Sequence, residues 1–140
     1  MKIIYCDMVA DLFHYGHVNF LKQCRELGDY LIVGIHSDSD VESYKRKPIL
    51  SFEERVQVVN ACKYVDKVVE GPIIVTTKFL SKHKIDYVVH AHNKEDKSYD
   101  YQYENVPKEK FIRLDYTDGI STTDIINRIV KNNLLWYGYN

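Results

Sequence analysis

The chain has 140 residues, enough for one domain with a single core. A formal net charge of −1 gives bulk electrostatics no part in binding nucleic acid, so no nucleic-acid partner is expected. Three scattered cysteines, Cys6, Cys24 and Cys62, each lie in an apolar run and read as free thiols rather than as a disulfide framework.

Lys2–Met8 predicts a buried strand directly at the start, with no signal-peptide pattern before it. His17–Leu27 predicts a helix with Phe20, Leu21, Cys24 and Leu27 on one stripe, stopped by Gly28. Tyr30-Leu31-Ile32-Val33-Gly34-Ile35 is a continuous apolar run, as a central parallel strand requires. Ser37–Tyr44 predicts a short helix, followed by the basic loop Lys45-Arg46-Lys47-Pro48. Ser51-Phe52-Glu53-Glu54 is a capping-box pattern that opens a helix running to about Lys63. Lys67–Val69 and Asp86–His90 predict strands around a helix at Thr76–His83. The stretch 91–109 is polar and tyrosine-rich, and Phe111–Leu114 predicts the last strand. Ser121-Thr122-Thr123-Asp124 caps a final helix with Ile125, Ile126, Ile129 and Val130 on its apolar face. Repeated β–α alternation with short loops implies a doubly wound, Rossmann-like α/β sheet, mainly parallel, of about five strands with helices on both faces. Residues 1–131 form this one domain, and 132–140 read as a C-terminal tail of unassigned role. No apolar stretch approaches 18 residues, so no membrane insertion is expected and a soluble, cytoplasmic protein follows.

In such sheets ligands sit beyond the carboxyl ends of the strands, at the topological switch point. Asp11-Leu12-Phe13-His14-Tyr15-Gly16-His17 falls there, after the first strand. It brings two imidazoles to the first turn of a helix, where backbone N–H groups and the helix dipole already favour an anion. Phosphate is the ligand this pattern fits best. Zinc is a weaker reading: histidine is a common metal ligand, but no second Cys or His cluster with ligand spacing stands nearby in sequence. The basic loop lies on the same edge, where Lys45 can neutralise a phosphate chain, although a solvated surface loop would have the same composition. Gly119-Ile120-Ser121-Thr122-Thr123 gathers three hydroxyls at a helix start, more than N-capping needs. Arg55 and Lys63, eight residues apart, can share a helix face. Asp7 and Asp11 flank the first turn and can orient an imidazole or meet a polar substrate group. Asp38 can hold a histidine or cap the short helix. His90 reads as a hydrogen-bonded core histidine, and His92 and Asn93 as the substrate contacts after that strand.

At these residues the sequence resembles the cytidylyltransferase family, within the wider His-x-Gly-His nucleotidyltransferase superfamily. The likeness runs from Tyr5 to about Val130 and takes in Asp11–His17, Gly28–Gly34, Glu54-Arg55, Tyr64-Val65-Asp66 and Gly119–Asp124. Val75-Thr76-Thr77 and Ile85–His90 look most like ethanolamine-phosphate and choline-phosphate enzymes, whereas the short length is more like glycerol-3-phosphate enzymes. The resemblance implies transfer of CMP from CTP to a small phosphorylated alcohol, with ethanolamine phosphate the best single choice, and release of pyrophosphate in phospholipid-precursor synthesis. It implies magnesium carried with CTP, and a homodimer. By position, His14, His17 and Lys45 carry the catalytic contacts. Ser121, Thr122 and Thr123 bind the triphosphate with Gly119, and Arg55 and Lys63 match basic phosphate-holding positions.

Several positions depart from the family pattern. Met8-Val9-Ala10 replaces a segment that usually has a small residue before the histidines, and Tyr116 stands where the family has a cation. Lys63 replaces an arginine, His92-Asn93 an acidic pair, and Ile73-Ile74 an expected aromatic residue. These changes keep three other readings open: a glycerol-3-phosphate cytidylyltransferase, an adenylyltransferase, and a catalytically weak nucleotide-binding protein.

Overall fold

The computed structural model describes the backbone of residues 1–137 and the side chains of residues 1–133. The chain alternates strands β1 (Ile3–Met8), β2 (Tyr30–Ile35), β3 (Lys67–Glu70), β4 (Tyr87–Ala91) and β5 (Phe111–Leu114) with helices. The helices are α1 (Tyr15–Glu26), α2 (Asp38–Glu42), α3 (Phe52–Asn60), α4 (Thr77–His83), α5 (Asp100–Tyr103) and α6 (Thr122–Tyr137). The strands form one sheet in the order β3-β2-β1-β4-β5, and every pairing is parallel.

β1 is central because its side chains are apolar on both faces, as a strand covered on two sides requires. Ile4 and Cys6 point to one side, where they join Phe20, Leu21 and Cys24 of α1 and Val59 of α3. Tyr5 points to the other, where it joins Leu80 of α4 and Tyr103 of α5. Ile32 and Val88 join this second cluster, while Leu31, Val33 and Val89 join the first, so the period of two in β2 and β4 sorts the two cores. Burying one such side chain fully is worth about 1.5–3 kcal/mol. Strand order reverses at β1: the chain lays β2 and β3 on one side and returns to lay β4 and β5 on the other. The crevice beyond the carboxyl ends of β1 and β4 is therefore the switch point.

Three expectations change. The 91–109 stretch is not only polar loop: it contains α5 and buries Gln102, Tyr103 and Val106. The hydroxyl of Tyr103 donates to Asp7, which gives an apolar-and-polar residue both of its requirements in the core. The final helix runs on to Tyr137, so a boundary at 131/132 falls inside α6. The end of the expected tail, residues 138–140, lies outside the described residues. The apolar face of α6 is not wholly covered either, since Ile129 is 43% and Val130 69% exposed. Among the described residues no helix is long and apolar enough to cross a membrane.

Candidate active site

His14 is the N-cap of α1. Its Nδ1 accepts the backbone N–H of Gly16 at 3.1 Å, and Nδ1 of His17 accepts the backbone N–H of His14 at 3.1 Å. Two histidines thus make the reciprocal bonds of a capping box and satisfy orphan donors of the helix start. An Nδ1 that accepts carries no proton, so each neutral ring bears its hydrogen on Nε2. Burial holds both rings neutral. His17 is pushed down to about 3 by burial and then by His14, whose ring centroid is 3.9 Å away. His14 is lowered by burial as well. The helix start therefore presents two fixed Nε2–H donors, not two repelling cations.

Gly16 is required by contact. A Cβ there would stand 2.8 Å from Cε1 and 3.0 Å from Nδ1 of His14, and 3.1 Å from Cγ2 of Ile120. Alanine favours a helix interior over glycine by about 1 kcal/mol, so Gly16→Ala should keep the fold. It should also push the His14 ring off its cap and lower turnover by at least about tenfold. Melting temperature and kcat measured together test this; an active Gly16→Ala variant would contradict the placement of His14.

A cavity of about 770 Å³ opens over this helix start. Asp7, Asp11, His14, His17, Lys45, Ser121, Thr122 and Thr123 all line it, so the three sequence features meet on one wall. Ser121 caps α6 by accepting the Asp124 N–H at 3.0 Å. The turn before it needs Gly119, whose φ is +86°. The Thr122 hydroxyl donates to the Asp11 carbonyl at 3.0 Å and lies 3.4 Å from Nε2 of His14. Lys45 is exposed, with Nζ 5.6 Å and 6.0 Å from the ring centroids of Tyr44 and Tyr99. Asp7 is buried between the Tyr103 hydroxyl and His36. Asp11 is 3% exposed, and burial alone would raise its carboxyl. The backbone N–H groups of Ile49 and Leu50 and the Arg46 guanidinium more than offset this and hold it below the usual carboxylate range.

The structure does not bring Arg55 and Lys63 to the cavity. α3 ends at Asn60, so Lys63 lies beyond the helix and the eight-residue spacing aligns nothing. Arg55 is 0% exposed. It donates to the carbonyls of Leu50, Val9 and His36 and to Oδ1 of Asp38 at 2.6 Å. It ties the ends of β1 and β2 to the segment before α3. Asp38 serves this arginine and the N–H of Phe52 rather than a histidine or the cavity. Arg55→Ala should destabilise the fold by about 3–5 kcal/mol, because it strands buried carbonyls and breaks an ion pair. A thermal melt decides the matter: a variant that melts like the wild type while losing activity would restore a ligand role.

His92 and Asn93 do not line the cavity, whereas His90 does. His90 Nδ1 meets His92 Nδ1 at 3.0 Å, so His92 stands behind it. His90 is pushed down to about 4 by burial, against the pull of Asp7. Its place at the end of β4, next to the switch strand, was the signal in the sequence. Arg46 of the basic loop and Tyr116, the position at which the family has a cation, also line the cavity, as does Tyr99, whose sequence surroundings gave no such signal. Met8, Val9 and Ala10 line it too, Ala10 with a φ of +60°.

The comparisons with known proteins agree with one another. The family model described as Cytidylyltransferase-like matches residues 6–128. The ethanolamine-phosphate cytidylyltransferase of Dictyostelium discoideum is 39% identical over 133 residues, covering 91% of this chain and 36% of that protein. The enzyme of that name from Mus musculus is 40% identical over 131 residues, covering 91% of this chain and 32% of that protein. Choline-phosphate cytidylyltransferase 2 of Arabidopsis thaliana is 39% identical, covering 92% and 45%. The chain thus spans between about a third and just under half of the length of these relatives. The crystal structure of the lipopolysaccharide core biosynthesis protein from Thermoplasma volcanium GSS1 superposes with a TM-score of 0.70, covering 84% of this chain and 99% of that one. At 24% identity it shows the shared fold alone. A family match from Cys6 to Arg128 takes in every residue that lines the cavity, and the chain belongs to the cytidylyltransferase-like family.

Proposed function

We propose that the chain transfers CMP from CTP to a small phosphorylated amino alcohol, ethanolamine phosphate first among them, and releases pyrophosphate. The observation that carries this reading is the cavity wall on which two Nε2–H donors, Lys45 and the start of α6 converge. The acceptor phosphate is already ionised, so no protein nucleophile is needed. Its oxygen attacks the α-phosphorus of CTP, a P–O bond forms, and the bond to the β,γ-pyrophosphate breaks. What the protein must supply is alignment of two polyanions and stabilisation of charge as it develops. His14 and His17 donate to the phosphates from fixed rings, and a bound polyanion raises their proton affinity. Lys45 adds a mobile positive charge. Ser121, Thr122 and Thr123 add hydroxyls at a helix N-terminus.

The names of the relatives support ethanolamine phosphate. Asp7 and Asp11 are committed to other partners, and among the described residues no group of three His, Cys, Asp or Glu side chains gathers. Magnesium enters the proposal only as part of the nucleotide substrate, which is how it commonly binds. Homodimer formation is part of the same proposal.

A pyrophosphate-release screen tests the reading. CTP and ATP are crossed with ethanolamine phosphate, choline phosphate and glycerol 3-phosphate. The CTP and ethanolamine phosphate pair should be fastest. Release with ATP alone would overturn the nucleotide assignment, and CTP binding without release from any pair would favour a weak nucleotide-binding protein.

A further inference from the structure

Asp11 sits within the two-histidine motif, yet its carboxylate is spent on another segment. Oδ2 accepts the Ile49 N–H at 2.9 Å and Nη1 of Arg46 at 3.2 Å, and Oδ1 accepts the Leu50 N–H at 2.9 Å. These bonds span 35–39 residues of sequence and reach both ends of the segment that follows Lys45. The Asp11 carbonyl accepts the Thr122 hydroxyl, so the same residue also touches the start of α6. His14, the cap of α1, is three residues further on. One residue therefore joins the three parts of the cavity wall.

Its setting is rigid. Ala10 and Leu12 on either side hold φ of +60° and +50°, conformations that cost an L-residue of order 1–3 kcal/mol each and persist only where neighbours enforce them. Arg55 pins the carbonyl of Val9 before it and that of Leu50 at the far end of the loop. A backbone this constrained is a fixed post to which the exposed loop after Lys45 can be tied.

We propose that Asp11 is a positioning residue that acts through the basic loop: it fixes residues 46–50 and so holds Lys45 against the helix starts of α1 and α6. This rests on the phosphate-binding reading of the cavity. It gives Asp11 no contact with the reacting atoms. Without the anchor, Lys45 still carries its charge, but the loop that presents it is released.

Two measurements on the full chain test this, and one needs no nucleotide. Trypsin can cut after Lys45 and Arg46, and the Lys47-Pro48 bond resists it. Loss of one or two loop hydrogen bonds should speed cutting at 45–47 by about tenfold in Asp11→Asn, with other tryptic sites unchanged. Turnover should fall by roughly 10²-fold in Asp11→Asn, yet by less than about threefold when the same change is made in a Lys45→Ala background. Asp11→Asn is isosteric and is the primary variant; Asp11→Ala, where it folds, should cut faster still. An unchanged cutting rate would overturn the anchor, and losses that multiply in the double variant would show that Asp11 does not act through Lys45. A wild-type chain with no CTP turnover would strike the functional reading, while the cutting rates would still decide the anchor.

Discussion

His14→Asn should lower kcat by roughly 10²–10³ while leaving the melting temperature nearly unchanged. Asparagine is among the best N-cap residues, so it can accept the Gly16 N–H as the imidazole does. What it cannot supply is the Nε2–H donor. His14→Ala mixes the two effects, because it also loses about 1 kcal/mol of cap. His17→Ala should be at least as damaging to turnover, since it removes one donor and also frees the N–H of His14. Steady-state kinetics beside a thermal melt separate chemistry from folding. Normal turnover in His14→Asn would sink the role given to the ring.

Lys45→Ala is the second large effect expected. The side chain is exposed and pairs with no carboxylate among the described residues, so stability should change by no more than about 0.5 kcal/mol. Turnover should fall by roughly 10²-fold, with a rise in KM for CTP if the charge also binds the ground state. Lys45→Arg keeps the charge but replaces a compact ammonium with a planar fork, and should recover part of the loss. A surface loop with no ligand role would leave kcat and KM alike untouched.

The sheet was legible because its signals are local. The continuous apolar runs of β1 and β2 name central parallel strands, and Ser51 with Glu54 forms the capping box that its spacing announces. The edge on which the phosphate features meet followed from strand alternation and the rule for parallel sheets. The histidine capping box was not legible, because histidine rarely plays the part that Ser and Glu usually play. Arg55 illustrates a different limit. Full burial of a guanidinium depends on three carbonyls from three separate segments, and no spacing within α3 reveals them. The places of Tyr103 and Tyr99 were not legible in a polar, tyrosine-rich stretch, since the partners they meet, Asp7 and His90, come from distant strands. The strain at Ala10 and Leu12 was equally invisible, because neither residue type advertises a positive φ.

In the proposed reaction the two rings at the start of α1 donate from Nε2 to the phosphates of CTP. Imidazole 15N NMR of the histidine-labelled chain, followed through a CTP titration, tests it most directly. Free protein should show His14 and His17 neutral at pH 7, with the proton on Nε2 and an unprotonated Nδ1. Saturation with CTP should shift both Nε2–H signals and raise the pH at which each ring titrates. CTP binding that leaves both rings unperturbed would contradict the account.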